Sequence, residues 1–168
     1  MHEQHAHYFL TVAEEAEIHL TRPEQEVWQE RLSREEANLR AALAWCKATP
    51  DAVEIGLRLA GALCYFWFLQ SALHEGRTWL EAMLARTGNT DRSAARGRAL
   101  FGVGLLTWAE GDVEAATRSL EESRSICREA GDQRYTSYAE MIVGTVLSRQ
   151  GNNVQARQLS EESPSRSP

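Results

Sequence analysis

A chain of 168 residues, 43% apolar and 25% charged, has the composition of one folded domain able to bury a sizeable core. Its net charge of −6, with acids and bases interspersed, offers no basic face for nucleic acid. No apolar run reads as a membrane span, and MHEQHAHYFL lacks the basic start and apolar core of a signal peptide, so the cytoplasm is the expected location, with no membrane partner.

Ala, Leu, Glu and Arg dominate, β-branched residues are sparse, and the four prolines leave residues 51–163 free of proline. That pattern predicts an all-α chain. Periodicity places helices at about 3–20, 23–32, 34–48, 51–70, 73–87, 92–110, 112–129, 134–150 and 152–163. Capping pairs mark three starts: Thr21 with Glu24 around Pro23, Ser33 with Glu36, and Asp51 with Glu54. Each offers a side-chain acceptor to free backbone N–H groups and a carboxylate to the positive helix end. In the third helix Leu39, Ala42, Leu43 and Cys46 share one face. The fourth carries Leu57, Leu59, Ala60, Leu63, Cys64, Phe66, Trp67 and Phe68 around much of its circumference, which predicts burial on several sides at the centre of the molecule.

A repeat runs through the second half. Laying residues 99–123 on 139–163 without a gap matches Ala99 with Ala139, Val103 with Val143, Gly104 with Gly144, Gly111 with Gly151 and Ala116 with Ala156, and aligns two Glu-Glu-Ser triplets. A weaker copy lies earlier again, with Leu80-Glu81 on Leu120-Glu121 and Gly76 on Ala116. Such a period in a helical chain implies stacked helix pairs. Gly104 and Gly144 lie inside helices, at about 1 kcal/mol against alanine, and predict close helix crossings with Ala116 and Ala156. Gly111 and Gly151 predict the turns between paired helices; the first copy has Ser71-Ala72 there.

The glycine, turn-glycine and alanine spacing resembles the tetratricopeptide repeat, whose usual period is about 34 residues. Gly104, Ala116, Leu120 and Ser123 fall on its small, small, large and small positions. Leu100 and Thr107 replace its usual tryptophan and tyrosine, and the closing proline is missing. The resemblance implies a right-handed superhelical stack of antiparallel helix pairs, a tetratricopeptide-like α-solenoid. Residues 1–50 would be a helical lead-in packed on the repeats, 51–163 three helix pairs, and 164–168 a disordered tail. The runs HYFLTVAEEAE, WQERLSREEANLRAALAW and LRLAGALCYFWFLQSALHEGRTWLEAML further resemble the helical region of bacterial LuxR-type signal-transducing ATPase regulators. There a segment like Asn38 to Trp45 opens the repeats. The implication is a sensor or interaction domain; the chain has no G-x-x-x-x-G-K-[ST] loop of its own.

Candidate sites are few. His2, His5 and His7 read as a frayed, exposed terminus rather than metal ligands. The acid pairs Glu14-Glu15, Glu35-Glu36 and Glu121-Glu122 read as solvated helix faces. Cys46, Cys64 and Cys127 lack metal or redox spacing and read as buried, small apolar residues. No nucleophile motif surrounds any serine, so no catalytic, cofactor or metal site is expected, and the chain is read as not an enzyme. A groove is the better candidate. In the tetratricopeptide register, inward positions are Arg58, Tyr65, Phe68 and Leu69 in the first copy, Arg98, Phe101, Leu105 and Trp108 in the second, and Tyr138, Met141 and Arg149 in the third. Aromatic surface flanked by arginines suits a peptide, a protein helix or a small amphiphile; the bland alternative is that these aromatics fill core.

Two functional readings follow. One is the ligand- or partner-binding part of an ATPase-type transcriptional regulator. The other is a free-standing adaptor that takes a peptide or protein segment in its groove. An uncovered last helix face would also favour a homodimer. The final copy loses its pattern where Ser160 answers Leu120 and Pro164 ends the helix. That ending reads either as a polar cap or as the cut edge of a longer array, with 152–163 the least stable helix.

Overall fold

Residues 2–162 are described by a computed structural model, and every regular element among them is helical: α1 Glu3–His19, α2 Gln25–Arg34, α3 Glu36–Ala48, α4 Val53–Ala62, α5 Cys64–Leu69, α6 Leu73–Leu84, α7 Ala94–Ala109, α8 Val113–Glu129 and α9 Gln133–Glu162, with a short 3-10 turn at Pro50–Ala52. The tail at 164–168 lies outside the described residues. α1 is helical from Glu3 onward, with His5 and His7 exposed on its first two turns.

Three helix ends share one device. Ser71, Gly111 and Gly131 adopt left-handed backbone, with φ of 57°, 95° and 77°. The next residue then donates its N–H five residues back: Ala72 to Trp67 at 2.9 Å, Asp112 to Thr107 at 3.2 Å and Asp132 to Cys127 at 2.8 Å. This satisfies carbonyls that a helix end leaves free. Asp112 and Asp132 also accept from Ala115 N and Tyr135 N, so one residue closes a turn and opens the next helix. Ser93 caps α7 through Arg96 N.

The three expected capping pairs do not form: neither α2, α3 nor the 3-10 turn has a side-chain cap. The Ser33 hydroxyl instead donates to the Gln29 carbonyl and accepts from Gln70 Nε2, and the chain passes from α2 to α3 through Glu35 alone.

Small residues set the packing. A Cβ built on Gly97 would lie 2.7 Å from Cys127 Sγ, and one on Gly104 2.6 Å from Leu120 Cγ, so α7 and α8 form a close antiparallel pair. Likewise Gly76 meets Leu106 and Gly102 meets Leu80, which sets α6 antiparallel to α7. Gly61 approaches Arg98, and Gly102 also approaches Cys64, so the α4–α5 segment runs parallel to α7. Helices of two alternating directions therefore lie side by side. One core joins α1 to α7 around Leu43, Leu59, Leu63 and Met83; a second joins α5, α7, α8 and α9 around Phe101, Leu105, Leu120 and Tyr135.

Two expectations about helix continuity are corrected. The fourth predicted helix is broken at Leu63 into α4 and α5. The stretch Pro50–Leu69 does reach the length and hydropathy of a membrane span, although in the fold it is mostly buried inside the protein. The predicted helices at 134–150 and 152–163 are instead one continuous helix, α9, of 30 residues. Gly151 does not take the left-handed conformation of Gly111. Folding back there would break helix hydrogen bonds to bring Ser160, not a leucine, onto Gly144, so no large apolar side chain offsets the cost. The third expected pair is a single helix.

Candidate functional site

Three helices bring most of the predicted groove residues together. Tyr65 and Phe68 stand one turn apart on α5, Phe101, Leu105 and Trp108 recur along α7, and Tyr138 rises from the second turn of α9. Their rings interlock edge-on or tilted. Tyr65 lies 6.0 Å from Phe101, 6.1 Å from Tyr138 and 6.5 Å from Phe68, and Phe101 lies 5.9 Å from Tyr138. Such geometry lets the positive ring edge meet the negative ring face. Phe101 and Leu105 are fully buried and make the floor, while Tyr65, Phe68 and Tyr138 are half-buried and form the surface above it. Both readings of these aromatics thus have residues on their side.

Trp108 packs on the same core but outside the ring cluster, and the other predicted positions lie around it. Trp108 and Arg149 stack with the guanidinium 5.1 Å from the ring, beside Val113 and Val146 in a cavity of about 330 Å³. Arg58 is committed to Glu14 of α1 through two hydrogen bonds of 2.6 and 3.2 Å. Leu69 is half-buried against the first core, and Met141 is 56% exposed.

Around Arg98, a predicted position, the site gathers residues that have no counterpart in the sequence reading. Tyr135, fully buried, stacks edge-on against Phe101 at 5.4 Å and contacts Tyr138 at 5.5 Å. The Arg98 guanidinium lies 4.7 Å from the Tyr135 ring and donates to Asp132 at 2.7 Å. Glu17, only 5% exposed, reaches from the end of α1 to accept from Arg134 at 2.6 Å. Burial pushes the Glu17 carboxyl above the usual carboxylate range, while the Tyr135 hydroxyl, Arg134 and Arg98 hold that rise in check. The Tyr135 hydroxyl is buried with no partner of hydrogen-bond geometry among the described residues. It lies close enough to Glu17 that, after burial itself, the carboxylate charge raises its pKa further. Tyr135 was within reach of the sequence, since it precedes Tyr138 by one turn. Glu17 was not, because nothing local links it to a residue 117 positions away.

A second recess, of about 210 Å³, opens between α3, α5 and α6. Leu39, Leu43, Leu63, Phe66 and Trp67 line it, and Arg40 bridges Glu75 at its rim through bonds of 2.6 and 3.1 Å. The Arg40 guanidinium holds the Glu75 carboxyl below its usual range. Cys46, Cys64 and Cys127 are free and buried. Burial pushes the Cys46 and Cys127 thiols up to about 11, so both are un-ionised at neutral pH. Among the described residues no group of three His, Cys, Asp or Glu side chains is placed to hold a metal ion.

Fold and site together define an all-helical chain of packed helices with an aromatic surface shared by α5, α7 and α9. Comparison with protein-family models, with curated proteins and with solved structures finds no match.

Proposed function

We propose that the chain is a non-enzymatic interaction domain of tetratricopeptide type, its helix pairs stacked as a right-handed superhelix, which binds a protein or peptide segment. The observation that carries this reading is the half-buried row Tyr65, Phe68 and Tyr138 over a floor of Phe101 and Leu105. Rigid aromatics held by a packed floor lose little entropy when a partner covers them, which is the usual anatomy of an interaction hot spot. Within this proposal the chain serves as the partner-binding part of a cytoplasmic signal-transducing ATPase regulator in bacteria, a role resting on the resemblance of Asn38 to Trp45 and its flanking runs. A free-standing adaptor would use the same surface.

The test uses a display library of helical and extended peptides selected against the whole chain. Enriched peptides are expected to lose at least tenfold in affinity to the Tyr65→Ala, Tyr138→Ala double variant, whose circular dichroism stays helical. Phe101→Ala is unsuitable here, because Phe101 is core and its loss weakens the fold itself. No enrichment, or equal affinity for the variant, would reject the groove.

A further inference from the structure

Helical glycines in this protein mark places where another helix comes close. Gly56, Gly61, Gly76, Gly97, Gly102 and Gly104 each sit against atoms of a neighbouring helix, at 2.6 to 3.5 Å from an ideal Cβ. Gly144 and Gly151 on α9 are the exceptions: among the described residues nothing lies within 4 Å of either. They alternate with two of the most exposed large apolar side chains described, Leu147 at 57% and Val154 at 55%. At about 100° per residue, Gly144, Leu147, Gly151 and Val154 fall within one narrow stripe along the straight helix. Their spacing of three, four and three residues is that of a coiled-coil seam.

We propose that this stripe is a two-fold interface with a second copy of the same chain, in which two α9 helices pack antiparallel about a point level with residue 149. That register seats Leu147 on the partner's Gly151 and Val154 on the partner's Gly144, and the reverse on the other side of the axis. Large side chains meet small ones at every contact, so the surface complements itself, as a two-fold interface requires. The chain already uses this contact internally, where Leu120 of α8 packs onto Gly104 of the antiparallel α7. Charge does not oppose it. Between Glu140 and Arg157 the only charged residue of α9 is Arg149, and its guanidinium stacks on Trp108 of its own chain. The interface involves none of Tyr65, Phe68 and Tyr138, so it stands whatever the groove binds.

Sedimentation equilibrium of the full chain from 5 to 500 μM tests this. A concentration-dependent dimer is expected, with Leu147→Glu and Val154→Glu each weakening it at least tenfold. Met141→Glu, equally exposed on α9 but about 100° round from the stripe, should leave it unchanged. The register is tested by oxidising a mixture of Leu147→Cys and Gly151→Cys chains, the native cysteines being buried. The mixed 147–151 disulfide should form faster than either like pair. A monomer throughout, a dimer indifferent to both glutamates, or preferred 147–147 bridging would overturn the proposal.

Discussion

Gly104 and Gly144 occupy the same position forty residues apart, and their surroundings differ completely. Around Gly104 the chain turns at Gly111, α8 returns antiparallel, and Leu120 packs onto the glycine. Around Gly144 the helix continues through Gly151 and no described atom lies within 4 Å of the glycine's Cβ position. Both copies carry glycine at the turn position, Gly111 and Gly151; what differs is what a returning helix would bury. Leu120 makes the hairpin favourable, and Ser160 does not, which shows that a turn residue permits a hairpin while the apolar face beyond it decides whether one forms.

The largest consequence falls on that apolar face. Leu120→Ala empties a fully buried site and should cost about 2–5 kcal/mol in chemical denaturation. Leu147→Ala in dilute solution should stay within about 0.5 kcal/mol, since its side chain is exposed. Equal losses would mean that α9 is covered in the monomer. The glycines should then separate in sign. Gly104→Ala forces Leu120 aside and should lose about 1–3 kcal/mol, whereas Gly144→Ala in dilute solution should gain about 0.5–1 kcal/mol from helix propensity alone.

The turns allow a subtler comparison. Ser71 holds the left-handed conformation that Gly111 holds forty residues later, and a non-glycine residue there is strained. Ser71→Gly should raise stability by about 0.5–1 kcal/mol, while Gly111→Ala should lower it by about 1–2 kcal/mol. If both changes are neutral, these turns do not depend on backbone handedness.

The smallest effect concerns Glu17, where the N-terminal helix meets α9. Its folded-state pKa is raised, chiefly by burial, so the fold favours the protonated carboxyl. The group's contribution is most favourable below about 4.5, the unfolded value, and declines as pH rises through the folded value. Glu17→Gln should therefore raise the melting temperature at pH 8 and leave it unchanged at pH 3.5. A lower melting temperature at pH 8 would show that the bond to Arg134 outweighs desolvation.

Much of this was legible in the sequence. The all-helical class followed from composition and periodicity, and the close crossing at Gly104 and the turn at Gly111 followed from the repeat. Phe101, Tyr65 and Tyr138 were found through the same register, and the structure sets them in one cluster. Four things escaped, the first being that the repeat which placed the turn at Gly111 also predicted one at Gly151, where α9 runs on. The capping pairs did not form, and at Ser33 the reason is visible, since its hydroxyl is drawn into bonds with Gln29 and Gln70, on the preceding turn and on another helix. The break at Leu63 left no mark in a segment apolar on all sides. Glu17 joined the site through tertiary packing, for which a single sequence carries no signal.

The continuity of α9 is the feature on which the contrast between the two copies rests, and a distance across residue 151 tests it most directly. Spin labels at Met141 and Gln158, measured by pulsed electron resonance with excess unlabelled chain, should give one separation near 26 Å, about 1.5 Å for each intervening residue. A separation of roughly half that or less would mean that the helix folds back at Gly151 as its counterpart does at Gly111, and would contradict the account.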